Sequence, residues 1–333
     1  MASESFIQTN IDYRKKDNRK EAFVRWFAWS LRYKDCDPAL WMMKYMFDRY
    51  EFNIEQRLWV CWLYGTTYYA PTSWVIWNEF PDFELVGEKR LEEWNNINYK
   101  RLRYQTDTKY NKGHLPKQFS SYYEWVHTNN PEGTQRAKFE KIMRSTNDPF
   151  KALWGEVSGS LYKFGRYSTW FYMQALKQCA DIQTEPPDLV LRDDKGSKSH
   201  RTGLLYALGL EELAGQKLDD SQVQMLELEA GSILSETNNR FGTKGDFYDM
   251  ETCLCSFKKI FRERDGRYLG YYLDRQAEEI SRVQNDGWSG VNWDVYWQAR
   301  RETIHPMLAA SRKIKKDKFS DFLKKGDFMR SMF

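Results

Sequence analysis

Lys258, Arg262 and Arg264 stand out in the stretch METCLCSFKKIFRERDGRYLGYYLDRQAEEI, residues 250–280. At 100° per residue, Met250, Leu254, Phe257 and Phe261 fall within about 60° of one another and form an apolar stripe. Lys258 and Arg262 sit together at the edge of that stripe, and Arg264 falls back onto its apolar side. Lys259 lies opposite, where a merely solvated cation belongs. Three cations at the rim of a buried face are placed to hold an anion.

A second candidate is LYKFGRYSTWFYMQAL, residues 161–176. Gly165 reads as a tight turn, and Arg166, Tyr167 and Ser168 lead from it into an aromatic helix. Free backbone amides at a helix start hold phosphate well, and Lys163 and Arg166 would reinforce them. An ordinary inter-helix turn with exposed cations reads the same way. In RDDKGSKSHRTGLLYALGL, Asp193 and Asp194 precede a small-residue loop, and Ser199, His200 and Arg201 follow it. An acidic pair before a Ser/His/Arg cluster suits a general base and an anion clamp; a capped surface loop would look alike. In WLYGTTYYAPTSWVIWNEFP, residues 62–81, Gly65 interrupts a helical pattern at a cost of about 1 kcal/mol against alanine. Either close packing or a ligand explains it. Tyr64 and Tyr68, four apart, share a face on which a planar base could stack, or they line a helix crossing.

Several chemistries lack their signatures: the sequence has no P-loop, no GxGxxG after a strand, no HExxH and no GxSxG. The four histidines are scattered, which disfavours a multi-His metal site, and the five cysteines form no pairing framework. No apolar run approaches 18 residues and no secretory leader opens the chain, so a soluble intracellular protein is expected. Net charge is only +4, but residues 11–34, 98–117 and 311–333 each carry +5, leaving −11 on the rest. Basic patches on an acidic background are the footprint of phosphate-backbone contact. Aromatics make up 17% of the chain; most serve as core filler, and some suit an aromatic cleft that stacks a base.

The elements that must position these residues are helices. Asp37-Pro38 and Asp148-Pro149 are helix starts, and Asn53 caps the next helix, with Pro71 ending the segment beyond it. Asp219 or Asp220 opens a helix in which Val223, Leu226, Ala230, Ile233 and Thr237 repeat at three and four. The 250–280 stretch reads as two helices broken at Asp265-Gly266, with loops over 104–118, 128–135, 183–202 and 240–247. No convincing strand or internal repeat is present. The fold expected is mostly α: residues 1–310 as one helical unit, compact or in two lobes sharing a cleft, and 311–333 as a basic tail.

Taken as a set, WFAWSLRYKDCDPALWMMKYMFDRY, WLYGTTYYAPTSWVIWNEFP, RLRYQTDTKYNKGHLP, GSKSHRTGL and the 250–280 stretch resemble the phage amino acid:DNA transferases. That family is also called the α-glutamyl/putrescinyl thymine pyrophosphorylases. The likeness covers roughly residues 20–305. It implies hypermodification of phage DNA in the cytoplasm of an infected bacterium. A kinase pyrophosphorylates 5-hydroxymethyluracil in double-stranded DNA, and an amino acid or polyamine then displaces pyrophosphate from the modified thymine. The family has been compared with the two-lobed, base-flipping helix-hairpin-helix DNA glycosylases. On that comparison 163–176 is the hairpin, and Asp193 or Asp194 lies near the glycosylase acid. Phe164-Gly165-Arg166 lacks the usual second glycine, however, and no iron–sulfur cysteine set is present.

On this resemblance Lys163, Arg166, Lys258, Arg262 and Arg264 are expected to hold the pyrophosphate, with a divalent metal such as Mg²⁺ as a possible addition. Tyr64, Tyr68 or Trp170 would stack the extruded base. Asp194, with Asp193 second, would be the base that deprotonates the incoming amine, and Arg201 would bind an amino-acid carboxylate. The other readings are a glycosylase acting on modified thymine and a non-catalytic DNA-binding protein.

Overall fold

Helix starts in this chain are set by short acceptors placed just ahead of apolar runs. Asn53, Asp148, Asp219 and Asp246 each accept a backbone N–H three residues on, satisfying an amide that the helix itself leaves free. At Asn53 and Asp219 the residue three on, Gln56 or Gln222, returns the bond to the cap's own N–H at 3.0 Å. The computed structural model describes residues 15–105, 108–192, 197–261 and 267–309.

The α-helices are α1 (Arg19–Arg32), α2 (Pro38–Arg49), α3 (Ile54–Thr67), α4 (Ala70–Glu79), α5 (Glu88–Asn98), α6 (Leu115–His127), α7 (Gln135–Arg144) and α8 (Pro149–Ser160). They continue as α9 (Arg166–Ala180), α10 (Lys198–Ala207), α11 (Asp220–Phe241), α12 (Phe247–Phe257), α13 (Tyr271–Asn285), α14 (Trp293–Thr303) and the single turn α15 (Pro306–Ala309). No strand occurs among the described residues, so the fold is mostly α. The chain divides into two compact units. The first is built from residues 1–38, 186–275 and 304–333, the second from 39–185 and 276–303.

Three local expectations change. Pro71 does not end a helix; it sits in the first turn of α4, where a missing N–H costs nothing. The helix before it ends instead at Tyr68, which takes a left-handed conformation (φ 46°). Helix α12 stops at Phe257, well short of Asp265, because Lys259 and Ile260 bond back three residues rather than four. Gly165 has extended backbone, and the left-handed residue of its turn is Lys163 (φ 59°).

In the second unit α3 packs on α9 through Gly65. A Cβ there would lie 2.6 Å from the Tyr172 Cβ, so close packing explains this glycine. Around that crossing Trp59, Trp62, Tyr122, Trp170 and Tyr172 are fully buried. The Tyr172 hydroxyl donates to that of Tyr122 (3.1 Å), which donates to Gln135 Oε1 (2.8 Å). Most of the aromatic wealth is therefore core.

In the first unit the buried carboxylate of Asp35 accepts the N–H groups of Gly270 (2.8 Å) and Leu273 (3.0 Å) and so caps α13. Burial pushes its pKa up to about 7, against the pull of those amides. An acid whose folded pKa exceeds its unfolded value of about 4 binds its proton more tightly when folded. Its contribution to stability therefore falls as pH rises from about 4 to 7 and is level above that. Relative to Asp35→Asn, the wild type should gain about 2–3 kcal/mol on going from pH 8 to pH 5. Denaturant melts of both proteins at the two pH values check this; parallel changes would refute it.

Candidate active site

Helices α10 and α12 lie against each other at Gly203, where an added Cβ would fall 2.1 Å from the Leu254 carbonyl oxygen. This approach brings Ser199 and His200, in the first turn of α10, onto one edge of α12. Glu251, Cys255 and Lys258 recur there at i, i+4 and i+7, a single helical face. The result is a polar cluster inside an otherwise apolar contact.

His200 is fully buried, with Nε2 3.2 Å from the Leu189 carbonyl oxygen and Nδ1 3.2 Å from Glu251 Oε1. A carbonyl only accepts, so Nε2 carries a proton. Nδ1 faces the Glu251 carboxylate oxygen, a contact that is an ion pair only when the ring is protonated. Both side chains are closed off from solvent.

Cys255 Sγ lies 3.1 Å from Ser199 Oγ and 3.5 Å from Glu251 Oε1. Burial, then the Glu251 charge, pushes the thiol well above its usual range, so it stays protonated at neutral pH and is no thiolate nucleophile. Lys258 Nζ donates to Ser199 O and to Ser199 Oγ, both at 2.8 Å. Ser199, Cys255 and Lys258 are half-buried, whereas His200 and Glu251 are closed off behind them. An ammonium, a hydroxyl and a thiol on the more open side suit an anionic group far better than a cationic one.

Among the described residues, His200, Glu251 and Cys255 also form the one group of three His, Cys, Asp or Glu ligand atoms close enough to share an ion, all within 4.8 Å of one another. A nitrogen, oxygen and sulfur donor set matches a zinc-like ion, whereas Mg²⁺ takes oxygen ligands. The cluster therefore does not suit Mg²⁺.

Residues 189–191, ahead of α10, are held on two sides. Leu189 and Leu191 donate their N–H groups to Glu227 at 3.0 and 2.7 Å. The Leu191 carbonyl accepts from Ser197 Oγ (3.0 Å) and from Arg201 Nη1 (3.4 Å). Arg201 is only 7% exposed and helps hold this loop, which leaves it poorly placed to clamp a substrate carboxylate. Asp193 and Asp194, the expected bases, lie outside the described residues, as do Arg262 and Arg264.

The remaining sequence candidates belong to the second unit. Tyr64 (2% exposed) and Trp170 (0%) are core rings, so neither presents a face to a base. Tyr68 is half-buried and stacks on Phe171 with ring centroids 3.5 Å apart. Arg166 is buried over the Trp170 ring, whereas Lys163 is exposed. The expected phosphate set is thus divided: Lys258 is on one unit, Lys163 and Arg166 on the other. Sequence reading missed Glu251 and Cys255, although both lie in the 250–280 stretch. Their spacing to Lys258 was the available signal, a polar stripe running beside the apolar one.

Residues 30–265 match the model of a family described as "Amino acid:DNA transferase". A "Serinyltransferase" of Salmonella phage ViI is 28% identical over 88% of this chain and 76% of its own length. No solved structure matches the chain.

Proposed function

The chain belongs to the amino acid:DNA transferase family, and from that premise we propose that it attaches an amino acid or polyamine to 5-pyrophosphoryloxymethyluracil in DNA. The new bond forms at the exocyclic methylene carbon as its C–O bond breaks. The electron pair leaves with pyrophosphate, and the proton of the attacking N–H passes to a base. Asp194, with Asp193 second, is that base. The ends of its loop are held at the start of α10, beside the Ser199 and Lys258 cluster. Lys258, with Arg262 and Arg264 a few residues on, stabilises the charge that grows on pyrophosphate. Glu251 lies against Cys255, which reaches Ser199 and so helps to position its hydroxyl.

A base inside a duplex is out of reach, so the modified thymine is extruded before it reacts. The pyrophosphorylated base requires an earlier kinase acting on 5-hydroxymethyluracil in phage DNA, within the infected host. Among the described residues no helix is long and apolar enough to cross a membrane. The relative's name makes serine the first donor to test. Serine offers a hydroxyl as well as an amine, and displacement by either releases the same pyrophosphate.

The observation that supports this reading most is the family match, whose span includes both Ser199–Arg201 and Glu251–Lys258. The test is to incubate DNA carrying 5-pyrophosphoryloxymethyluracil with the protein, serine, other amino acids and polyamines, then weigh the digested nucleosides. A nucleoside heavier by one donor is expected, and its fragmentation tells an N-link from an O-link. Unchanged nucleosides would favour a DNA-binding protein, and loss of the base would favour a glycosylase.

A further inference from the structure

The three basic segments do not have equal standing once their partners are seen. In residues 15–34 four of the seven cations meet acids of their own unit. Lys16 pairs with Glu211 and Glu212, Arg19 with Glu211, Lys20 with Glu229 and Arg25 with Glu21. More than half of that patch is thus paired within the unit. Residues 311–333 lie outside the described residues.

Segment 98–117 of the second unit is different. Arg103 pairs with Asp286, but among the described residues Lys100, Lys109, Lys112 and Lys117 meet no carboxylate. Lys112 Nζ sits 4.5 Å from the centroid of Tyr99, and Lys109 Nζ 5.1 Å from that of Tyr110. Tyr110 is 70% exposed, and Tyr99 and Tyr162 are exposed as well. The Tyr162 hydroxyl reaches His114 Nδ1 at 3.5 Å and Lys163 lies over the Tyr162 ring, which joins the 161–165 turn to this surface. Partial burial, then the charges of Lys163 and Lys117, hold the His114 imidazole below its usual range, as a crowded positive field requires.

Gln105, Thr108 and Asn111 tie this surface to the end of α3. Thr108 Oγ1 donates to the Thr67 carbonyl (2.6 Å), Gln105 N to the same oxygen (3.2 Å), and Asn111 Nδ2 to the Thr66 carbonyl (3.1 Å). The loop thereby satisfies the last carbonyls of α3, which the helix cannot satisfy itself. Exposed tyrosines under unpaired lysines on a pinned loop have one natural partner chemistry. Phosphates take the ammonium groups, and base or sugar faces take the rings.

We propose that residues 99–105 and 108–117, together with Tyr162 and Lys163, form the face on which the second unit docks the phosphate backbone of DNA. This rests on the reading of the chain as an enzyme acting on DNA, and it assigns Lys163 to substrate docking rather than to pyrophosphate.

The test uses the full chain, an unmodified duplex, and fluorescence anisotropy over a range of salt. The variant Lys109→Glu/Lys112→Glu/Lys163→Glu is expected to bind about 10- to 100-fold more weakly at moderate salt. Its log–log salt slope should fall by about 2.7, the loss of three phosphate contacts. Tyr110→Ala should weaken binding several-fold at an unchanged slope. Lys89→Glu/Lys151→Glu, which reverses two exposed cations elsewhere on the same unit, should change little. An unaltered slope in the triple variant, or an equal loss in the control, overturns the proposal. Because the duplex carries no reacting group, neither result depends on whether transfer occurs. A protein that docks through this face yet makes no adduct would refute the transferase reading alone.

Discussion

Lys258→Met is expected to lower turnover on pyrophosphorylated DNA by about 10²- to 10³-fold while changing duplex affinity less than about threefold. The ammonium lies at the open side of the α10–α12 cluster, 2.8 Å from both oxygens of Ser199. A cation fixed there costs no reorganisation when charge develops on the leaving group, and removing one such stabilising group typically costs that range. Methionine keeps the aliphatic bulk, so packing on α12 changes little. Lys258→Arg should recover part of the rate, because it restores charge with a different reach. Arg262→Ala should behave like Lys258→Met. Steady-state kinetics beside binding isotherms separate the roles: parallel loss of turnover and affinity would reduce these side chains to DNA contacts.

Gly203→Ala is expected to cost at least about 3 kcal/mol of stability, or to prevent the first unit from folding. The new Cβ would meet the carbonyl oxygen, carbonyl carbon and Cα of Leu254 at 2.1, 2.6 and 3.0 Å. All three are backbone atoms inside α12, so no rotamer change relieves the clash and the helices must part. Gly155→Ala, in α8 with nothing within 4 Å of its added Cβ, should instead stabilise by about 0.5–1 kcal/mol, since alanine is the better helix former. Chemical denaturation of both variants decides the matter. Loss at 203 and gain at 155 supports the close α10–α12 approach, and equal effects would remove it.

Much of the fold was legible because the caps carry their own chemistry. Asp37-Pro38, Asn53, Asp148-Pro149 and Asp219 stand where the helices begin. The repeat Val223, Leu226, Ala230, Ile233, Thr237 is wholly buried, as its period requires. Helix ends were read less well. Nothing local requires the left-handed turn at Tyr68 or the tightened last turn after Phe257. The Gly65 signal was sound but ambiguous: a sequence records that space is needed there, not that Tyr172 fills it.

The site was legible only in halves. Ser199, His200 and Lys258 stand out in separate stretches, and the Gly203 contact between α10 and α12 brings them together. Glu251 and Cys255 went unread because an acid and a thiol on a helix look solvated and inert until a buried histidine faces them. Tyr64 and Trp170 misled for the opposite reason, since spacing places two rings on one face without saying whether that face meets solvent.

The central claim is displacement at the methylene carbon, and the bridging oxygen reports it most directly. DNA bearing 5-pyrophosphoryloxymethyluracil would be prepared with ¹⁸O between the methylene carbon and phosphorus, then incubated with the protein and serine. The pyrophosphate and the nucleosides would then be analysed by mass spectrometry. Attack at carbon sends the label out in pyrophosphate, one equivalent for each serine adduct formed. Label retained in 5-hydroxymethyluracil, with unlabelled pyrophosphate in solution, would mean cleavage at phosphorus and would contradict the account.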